Sequence, residues 1–322
     1  MPLQFRFIPG PPASLIERVA AGDPTNPFFT LEYATALRSL GAQPCFLGGY
    51  DENQLTSGCV AFLSGSFLRR TLTIPSLPDL TDPPVFWRGL LEACRKMKVW
   101  HLQIDSFASR ASEIPQLAGE LTRRPRVEYV LDLERENVLD GFSTQHRRNI
   151  SRASKANLTI RRSGEESACA QHFELIDASL DRRAHRGEEI QRLEMALPSA
   201  LLASKSGEIF QAVDGDRVLS SILVLKSRQG AYYQSSGTLP DGMKLGSSPF
   251  LIAQVAAVLK QEGVRVFNLG GAGDDSPGLQ RFKAGFNTRE VRLQAATFCP
   301  RRAVERKFHA ALRFCWHWIK QR

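Results

Sequence analysis

The stretch Leu239-Pro240-Asp241-Gly242-Met243-Lys244-Leu245-Gly246-Ser247-Ser248 decides how this chain is read. Two apolar runs rich in β-branched residues, 208–214 and 217–226, precede it around Asp214-Gly215-Asp216 and predict a β-hairpin. Residues 231–236 supply a third strand. After the stretch, Ser248 suits a helix N-cap and Pro249 the first helical position. Phe250, Leu251, Ala253, Val255, Val258 and Leu259 make that helix apolar over most of its surface. Gly263 ends it, and residues 264–269 have the length and composition of another strand. Gly270-Gly271-Ala272-Gly273 and the compact segment Gly278-Leu279-Gln280-Arg281-Phe282-Lys283-Ala284-Gly285-Phe286 follow. The free N–H groups of a helix's first turn carry partial positive charge, so this unit is built to hold an anion. Gly246 permits close backbone approach, while Ser247 and Ser248 add hydroxyls; an ordinary N-cap is the plain alternative. On the donor reading, Gly246→Asp or Gly246→Pro weakens donor binding and leaves the melting temperature nearly unchanged.

The first half of the chain writes the same unit once more. Thr30 caps a helix whose Leu31, Ala34, Leu37 and Leu40 share a face, and residues 43–50 and 54–64 form a hairpin around Asp51-Glu52-Asn53. A strand at 71–74, a helix at 84–96 and a strand at 99–105 complete the repeat, which predicts duplication of a supersecondary unit. Here the glycine turn is replaced by Pro75-Ser76-Leu77-Pro78-Asp79-Leu80-Thr81-Asp82-Pro83-Pro84, and prolines lack the N–H donors that cradle a phosphate. The first copy is therefore expected to shape the acceptor site and the second to carry the donor. Residues 126–133 are expected to close the first module as a strand. Ser143 then caps a helix to about residue 157, followed by helices near 167–183 and 188–204.

Tyr232-Tyr233-Gln234-Ser235-Ser236-Gly237 before the turn, and Gly278-Leu279 with Phe282-Lys283 and Phe286 after it, resemble the second half of the FemAB-like proteins. These are tandem acyltransferases of the GCN5-related N-acetyltransferase (GNAT) superfamily and include the CelD-type proteins. The resemblance spans about residues 26–298. It implies an α/β fold of two tandem GNAT-like domains, each a mixed sheet with helices on its faces. The N-terminal domain is expected at 1–140, and the C-terminal domain with the donor site at 141–299. A basic amphipathic helix at 300–322 is expected to pack back on the N-terminal domain. The resemblance also implies that Lys283, in the Phe282-Lys283 pair, contacts the reacting acyl group.

Composition sets the outer limits. With 322 residues, 43% hydrophobic and 23% charged, the chain has the make-up of a soluble globular protein of two domains. Met1 to Pro9 has no signal-peptide core, and no run reaches the roughly 18 apolar residues of a spanning helix, so a cytoplasmic place is expected, with the inner membrane face as an extension. Cys45, Cys59, Cys94, Cys169, Cys299 and Cys315 show neither C-x-x-C spacing nor a histidine partner set, the pattern of reduced packing residues rather than a metal site. The net charge of +9 is concentrated. Residues 301–322 hold seven basic residues against one acid, and residues 146–162 hold Arg147, Arg148, Arg152, Lys155, Arg161 and Arg162 with no acid. Such segments suit phosphate, nucleic acid or a membrane face, with a solvated helix face as the plain alternative. In 301–322, Val304, Phe308, Ala311, Leu312, Cys315, Trp316 and Ile319 form the apolar stripe, which also suits an anionic membrane surface.

No G-x-S-x-G, H-E-x-x-H, Walker or dinucleotide signature is present. The reading is an acyltransferase moving an acyl or aminoacyl group to an amine of a phosphate-bearing or envelope-related acceptor. Its expected catalytic residues are Lys283, Phe282 and Tyr233, with Tyr233 rather than Tyr232 facing the cleft. Gly246, Ser247 and Ser248 are the expected donor site, and Arg147, Arg148 and Arg152 the substrate-binding cluster; Arg148 and Arg152 lie four apart on one helical face. Acyl-CoA, an acyl carrier or aminoacyl-tRNA serves as co-substrate, with no permanently bound cofactor, and tRNA and peripheral membrane contact are the wider partners. His185 is expected to be exposed and without a role. A non-catalytic basic module for nucleic acid or membrane is the competing class, although it lacks RNP or GXXG signatures.

Overall fold

In chain order the computed structural model contains β1 (Gln4–Pro9), α1 (Ala13–Gly22), a 3-10 turn at Pro27–Phe29, α2 (Leu31–Ser39), β2 (Gln43–Asp51), β3 (Gln54–Ser64), β4 (Thr71–Ile74), α3 (Pro83–Lys96), β5 (His101–Ile104), β6 (Glu120–Asp132) and a 3-10 turn at Val138–Gly141. The second half contains α4 (Thr144–Lys155), β7 (Thr159–Ser163), α5 (Glu166–Ala184), α6 (Ala196–Ala203), β8 (Gly207–Asp214), β9 (Arg217–Lys226), β10 (Gly230–Thr238), α7 (Pro240–Leu245), α8 (Ser247–Gln261), β11 (Val266–Gly271), α9 (Pro277–Ala284) and β12 (Arg289–Phe298). The structure describes residues 3–66, 69–110, 113–185, 187, 190, 195–273 and 276–301. The helix expected at 300–322 and most of 188–194 lie outside these residues.

The two sheets expected from the repeat are one sheet. Its order is β1-β2-β3-β4-β5-β12-β6-β11-β10-β9-β8-β7, and the two halves mirror each other about the antiparallel β6–β12 pair. Each half runs through hairpins to a parallel pair, β4 with β5 and β10 with β11. The next strand then comes from the other half: β12 lies against β5, and β6 against β11. Packing follows the exchange, since Ala296 and Phe298 of β12 enter the first-half core, while Tyr129 and Leu131 of β6 enter the second-half core with Phe250, Val255 and Phe267. A cut at residue 140 thus divides the chain but not the sheet. Residues 141–301 expressed alone should lack a strand between β11 and β12 and show no cooperative thermal transition. A sharp transition, with the m-value of a folded domain of that length, would refute the exchange.

Side-chain caps start α2, α3 and α4. Thr30 accepts from Tyr33 N at 3.2 Å, Asp82 from Val85 N at 3.1 Å and Ser143 from His146 N at 3.2 Å, each satisfying a first-turn N–H. The central stretch departs from its reading. Residues 240–245 form α7 instead of a turn, and Gly246, with φ +75°, both ends α7 and precedes α8. Ser248 and Pro249 are therefore the second and third residues of α8, not its cap and first residue. A Cβ at Gly246 would lie 2.6 Å from the Asn149 carbonyl oxygen of α4. Gly246→Asp should accordingly cost stability, roughly 1–3 kcal/mol for a side chain in left-handed backbone, contrary to the unchanged melting temperature expected from sequence. Denaturant unfolding of the variant measures this.

Two further differences have simple causes. β6 begins at Glu120, ahead of the expected 126, and runs through Pro125. Because β11 pairs with β6 only from Glu128 to Asp132, one side of Pro125 has no ladder to break. β7 and β12 were not singled out in the sequence; β7 is a polar strand, and β12 alternates charged with apolar residues at its start. In β7 the Arg162 guanidinium pairs with Glu208 and Glu262, so two of the basic residues between 146 and 162, Arg161 and Arg162, belong to an edge strand and not to a helix.

Candidate active site

Two parallel strands part in the middle of the sheet. β10 and β11 pair only at Gly230–Val266, Ala231–Phe267 and Tyr232–Asn268. Beyond Tyr232, β10 stays with β9 through a bulge between Tyr233 and Ser235. β11 instead turns at Gly270, φ +71°, and its pairing with β6 shifts between Asn268 and Gly271. Left-handed backbone of this kind suits glycine, which explains why a glycine run ends the strand. The parting leaves a cavity of about 420 Å³ between Tyr232-Tyr233-Gln234 on one side and Gly270 to Gly273 on the other, with β6 and Lys283 completing the wall.

Strand alternation gives the cavity two sides. Tyr233 and Val127 pack with the core under α4, α8 and α9. Tyr232 packs with the core shared by α2, α5 and α6, and Arg126 and Glu128 point the same way. Both tyrosines line the cavity, whereas only Tyr233 was expected there: Tyr233 is half-buried and Tyr232 is 5% exposed. Burial pushes the Tyr233 hydroxyl up to about 12 and that of Tyr232, beside the Glu128 charge, well above its ordinary value, so both remain protonated near neutral pH.

Lys283 reaches the opening from α9. The residue is 6% exposed, and its ammonium donates to the Gly271 carbonyl oxygen at 2.6 Å. It lies 5.5 Å from the Tyr233 ring centre and 3.6 Å from where a Cβ on Gly270 would stand, so the missing side chain of Gly270 leaves it room. Burial lowers its pKa to about 8, against the opposing pull of Glu128. At pH 7 the group is mostly a cation, and above pH 8 it is mostly neutral. A kcat that depends on the cation should fall about tenfold per pH unit above pH 8, and Lys283→Arg should move that alkaline limb upward. An unchanged limb in the Arg variant would assign it to another group. Phe282 does not line the cavity. It stacks edge-on with His146 and Phe286 at 5.1 and 5.2 Å, while His146 Nε2–H donates to the Phe282 carbonyl oxygen at 2.7 Å. These contacts fasten α9 to α4 and hold Lys283 in place.

Sequence reading missed the hub beneath the cavity. Glu128, 1% exposed on β6, accepts from Arg126 Nη2 at 3.0 Å, Tyr232 OH at 3.0 Å, Asn268 Nδ2 at 2.8 Å and Ala108 N at 3.0 Å. Asn268 Oδ1 in turn accepts from Gly270 N at 2.8 Å, joining the hub to the glycine turn. Ser106 and Ala108, both with positive φ, sit in the loop that Glu128 holds down. The available signal was the alternation Arg124, Arg126, Glu128 against Val127, Tyr129, Leu131: charges on one face of a strand whose other face is apolar.

The remaining expected residues lie elsewhere on the second half. Gly246 and Ser247 are buried beneath α4, and the half-buried Ser248 shares a 2.7 Å hydrogen bond with Thr238. Arg147, Arg148 and Arg152 are exposed on α4. Arg147 donates to the Asp140 carbonyl at 3.3 Å and Arg152 to the Lys244 carbonyl at 2.9 Å, so Arg152 ties α4 to α7, just ahead of Gly246. Neither group lines the cavity. His185 is exposed, and Cys45, Cys59, Cys94, Cys169 and Cys299 are buried free thiols. Among the described residues no His, Cys, Asp and Glu cluster has the arrangement of a metal site.

Residues 141–284, which hold the parted strands and the helix between them, match the acetyltransferase (GNAT) domain family. The second half of the chain thus carries the likeness to an acetyltransferase of the GNAT type. No curated protein matches the whole sequence significantly. Among solved structures, FemX superposes with a TM-score of 0.65 over 87% of this chain and 95% of its own, at 11% identity. A tandem GNAT protein from the clavulanic acid biosynthesis pathway gives 0.55 over 93% and 100%, at 12% identity. The C-terminal domain of a candidate lysylphosphatidylglycerol synthetase from Agrobacterium fabrum gives 0.54 over 88% and 92%, at 17% identity. The whole chain therefore has the FemAB-like tandem GNAT fold, and the exchanged strands β6 and β12 join its two GNAT-like halves.

Proposed function

We propose that this protein transfers an acyl or aminoacyl group from an activated donor to an amine, with the reacting carbonyl seated between β10 and β11 beside Lys283. The observation that carries the proposal is the buried ammonium of Lys283 in the only part of the β10–β11 pair where the ladder opens. The acceptor nitrogen attacks the carbonyl carbon to form the new C–N bond. Negative charge collects on the carbonyl oxygen, where a cation with N–H donors in a dry site stabilises it. The bond from carbon to the donor's sulfur or oxygen then breaks, and the proton lost by the nitrogen leaves with the departing thiol or hydroxyl through solvent or substrate.

The candidate donors are acyl-CoA, an acyl carrier or aminoacyl-tRNA. Similarity in fold to FemX and to the candidate lysylphosphatidylglycerol synthetase favours an aminoacyl donor and an envelope-related acceptor, whereas the GNAT domain match favours acyl-CoA. Basic residues on α4 suit a phosphate on either partner. Among the described residues no helix is long and apolar enough to cross a membrane. Incubating the full chain with acetyl-CoA, longer acyl-CoAs or charged tRNA plus a panel of amines tests the reading, with free thiol or uncharged tRNA as the readout and the amide product identified by mass. Donor consumption without an amide product, or no turnover with any donor class, would sink it.

A further inference from the structure

The side of the cavity opposite Lys283 carries a charge that acyl transfer alone does not need. Arg124 and Arg126 stand two apart on β6 and both line it on the Tyr232 side. Arg126 is neutralised below by Glu128 at 3.0 Å and covered by the Phe107 ring at 4.3 Å. The four donors on Glu128 leave that carboxylate nothing to offer Arg124. Arg124 is exposed, and among the described residues it forms no ion pair. The acid whose field reaches both arginines, Asp105, is buried and held by Gln103 Nε2 at 3.0 and 3.1 Å. Among the described residues the wall of the cavity thus holds Arg124, Arg126 and Lys283 and no carboxylate. Two of these cations lie on either side of the glycine pair: Arg126 Nη2 is 3.6 Å from a Cβ placed on Gly271, and Lys283 Nζ is 3.6 Å from one placed on Gly270. A guanidinium with no ion-pair partner among the described residues, at the mouth of a cavity lined by two further cations, suits a ligand carboxylate or phosphate.

We propose that the acyl acceptor enters from the Tyr232 side and carries a carboxylate or phosphate that Arg124 holds, with Arg126 behind it, while its amine reaches the carbonyl beside Lys283. The donor then occupies the other side, under α4 and α8. This assignment rests on the acyl-transfer reading and names its acceptor class as anionic amines.

Matched acceptors test it with the full chain and acetyl-CoA or an aminoacyl-tRNA as donor: phosphoethanolamine against ethanolamine, and glycine against glycinamide. The charged member of one pair should be acylated with a kcat/KM at least about tenfold above its neutral partner. Arg124→Gln, at an exposed position, should raise KM for that charged member by about tenfold, hold kcat within about twofold, and leave the neutral partner unaffected. The pair that responds separates phosphate from carboxylate. Equal use of both members, or an equal loss on both in Arg124→Gln, overturns the proposal while acyl transfer stands. If no donor and acceptor react, the acyl-transfer reading fails, and titration of wild type and Arg124→Gln with inorganic phosphate and with acetate decides this site separately. Weaker binding of one ion by the variant supports the anion site, and identical binding of both overturns it.

Discussion

Lys283→Met should lower kcat by about 10²–10³ while leaving donor affinity within a few-fold, because it removes a cation aimed at charge that develops only as the carbonyl is attacked. Methionine keeps the length and the apolar stem, so the packing of α9 through Phe282, His146 and Phe286 is retained. The same change should raise stability near neutral pH. Lys283 is protonated up to pH 10.5 in the unfolded chain but only up to about pH 8 in the folded one, so burial of its charge opposes folding below pH 8. The wild type regains that stability as pH rises from 8 to 10.5, because the unfolded state then binds the extra proton. The advantage of Lys283→Met should therefore be largest below pH 8, at up to about 3 kcal/mol less the lost hydrogen bond to Gly271, and shrink towards pH 10.5. Denaturant midpoints at pH 7 and pH 10 give the comparison, and steady-state rates at saturating substrate give kcat. A Met variant with wild-type turnover would reduce Phe282-Lys283 to a packing motif.

Glu128→Leu should cost about 3–5 kcal/mol, the range for removing one member of a buried charge pair. It would leave the half-covered guanidinium of Arg126 and three further donors, Tyr232 OH, Asn268 Nδ2 and Ala108 N, without their acceptor. Glu128→Gln, which keeps the shape and one acceptor oxygen, should cost distinctly less. Turnover should also fall in the Leu variant, since Asn268 holds Gly270 N, and Gly270 shapes the opening beside Lys283. Urea unfolding followed by intrinsic fluorescence measures the stability change. A loss under about 1 kcal/mol in Glu128→Leu would mean that water replaces the carboxylate and that the hub does not organise the site.

Local patterns carried the sequence reading where the physics is local. The hairpins around Asp51-Glu52-Asn53 and Asp214-Gly215-Asp216, the cap at Ser143 and the apolar helix after Gly246 all depend on residues within a few positions of one another. The repeat was legible for the same reason, because each copy is a run of local elements in the same order. Lys283 was identifiable through a resemblance carried by short motifs and Tyr233 through strand alternation, and the structure places both on one cavity together with Tyr232.

Long-range pairing was not legible. Whether β6 closes its own half or crosses to β11 depends on the register Val266–Asp132 and Asn268–Val130, which joins residues more than 130 positions apart and leaves no periodic trace in either strand. Glu128 is a lone acid between Val127 and Tyr129 in sequence, and it becomes a hub only because that crossing brings Tyr232, Asn268 and Ala108 to it. The proline-interrupted start of β6 masked the strand, since a central position disfavours Pro unless one side of it is unpaired, and pairing is a tertiary property. From its own residues, then, the sequence determined the repeated hairpin-strand-helix-strand unit, the glycine positions that bend the chain, and a lysine beside a phenylalanine in the second copy. Only the tertiary structure decided that the copies exchange their sixth strands, that β10 and β11 part after Tyr232, and that two arginines from β6, one of them held by a buried carboxylate, face Lys283 across the gap, because backbone hydrogen bonds between distant strands choose their partners by burial and register rather than by neighbouring sequence.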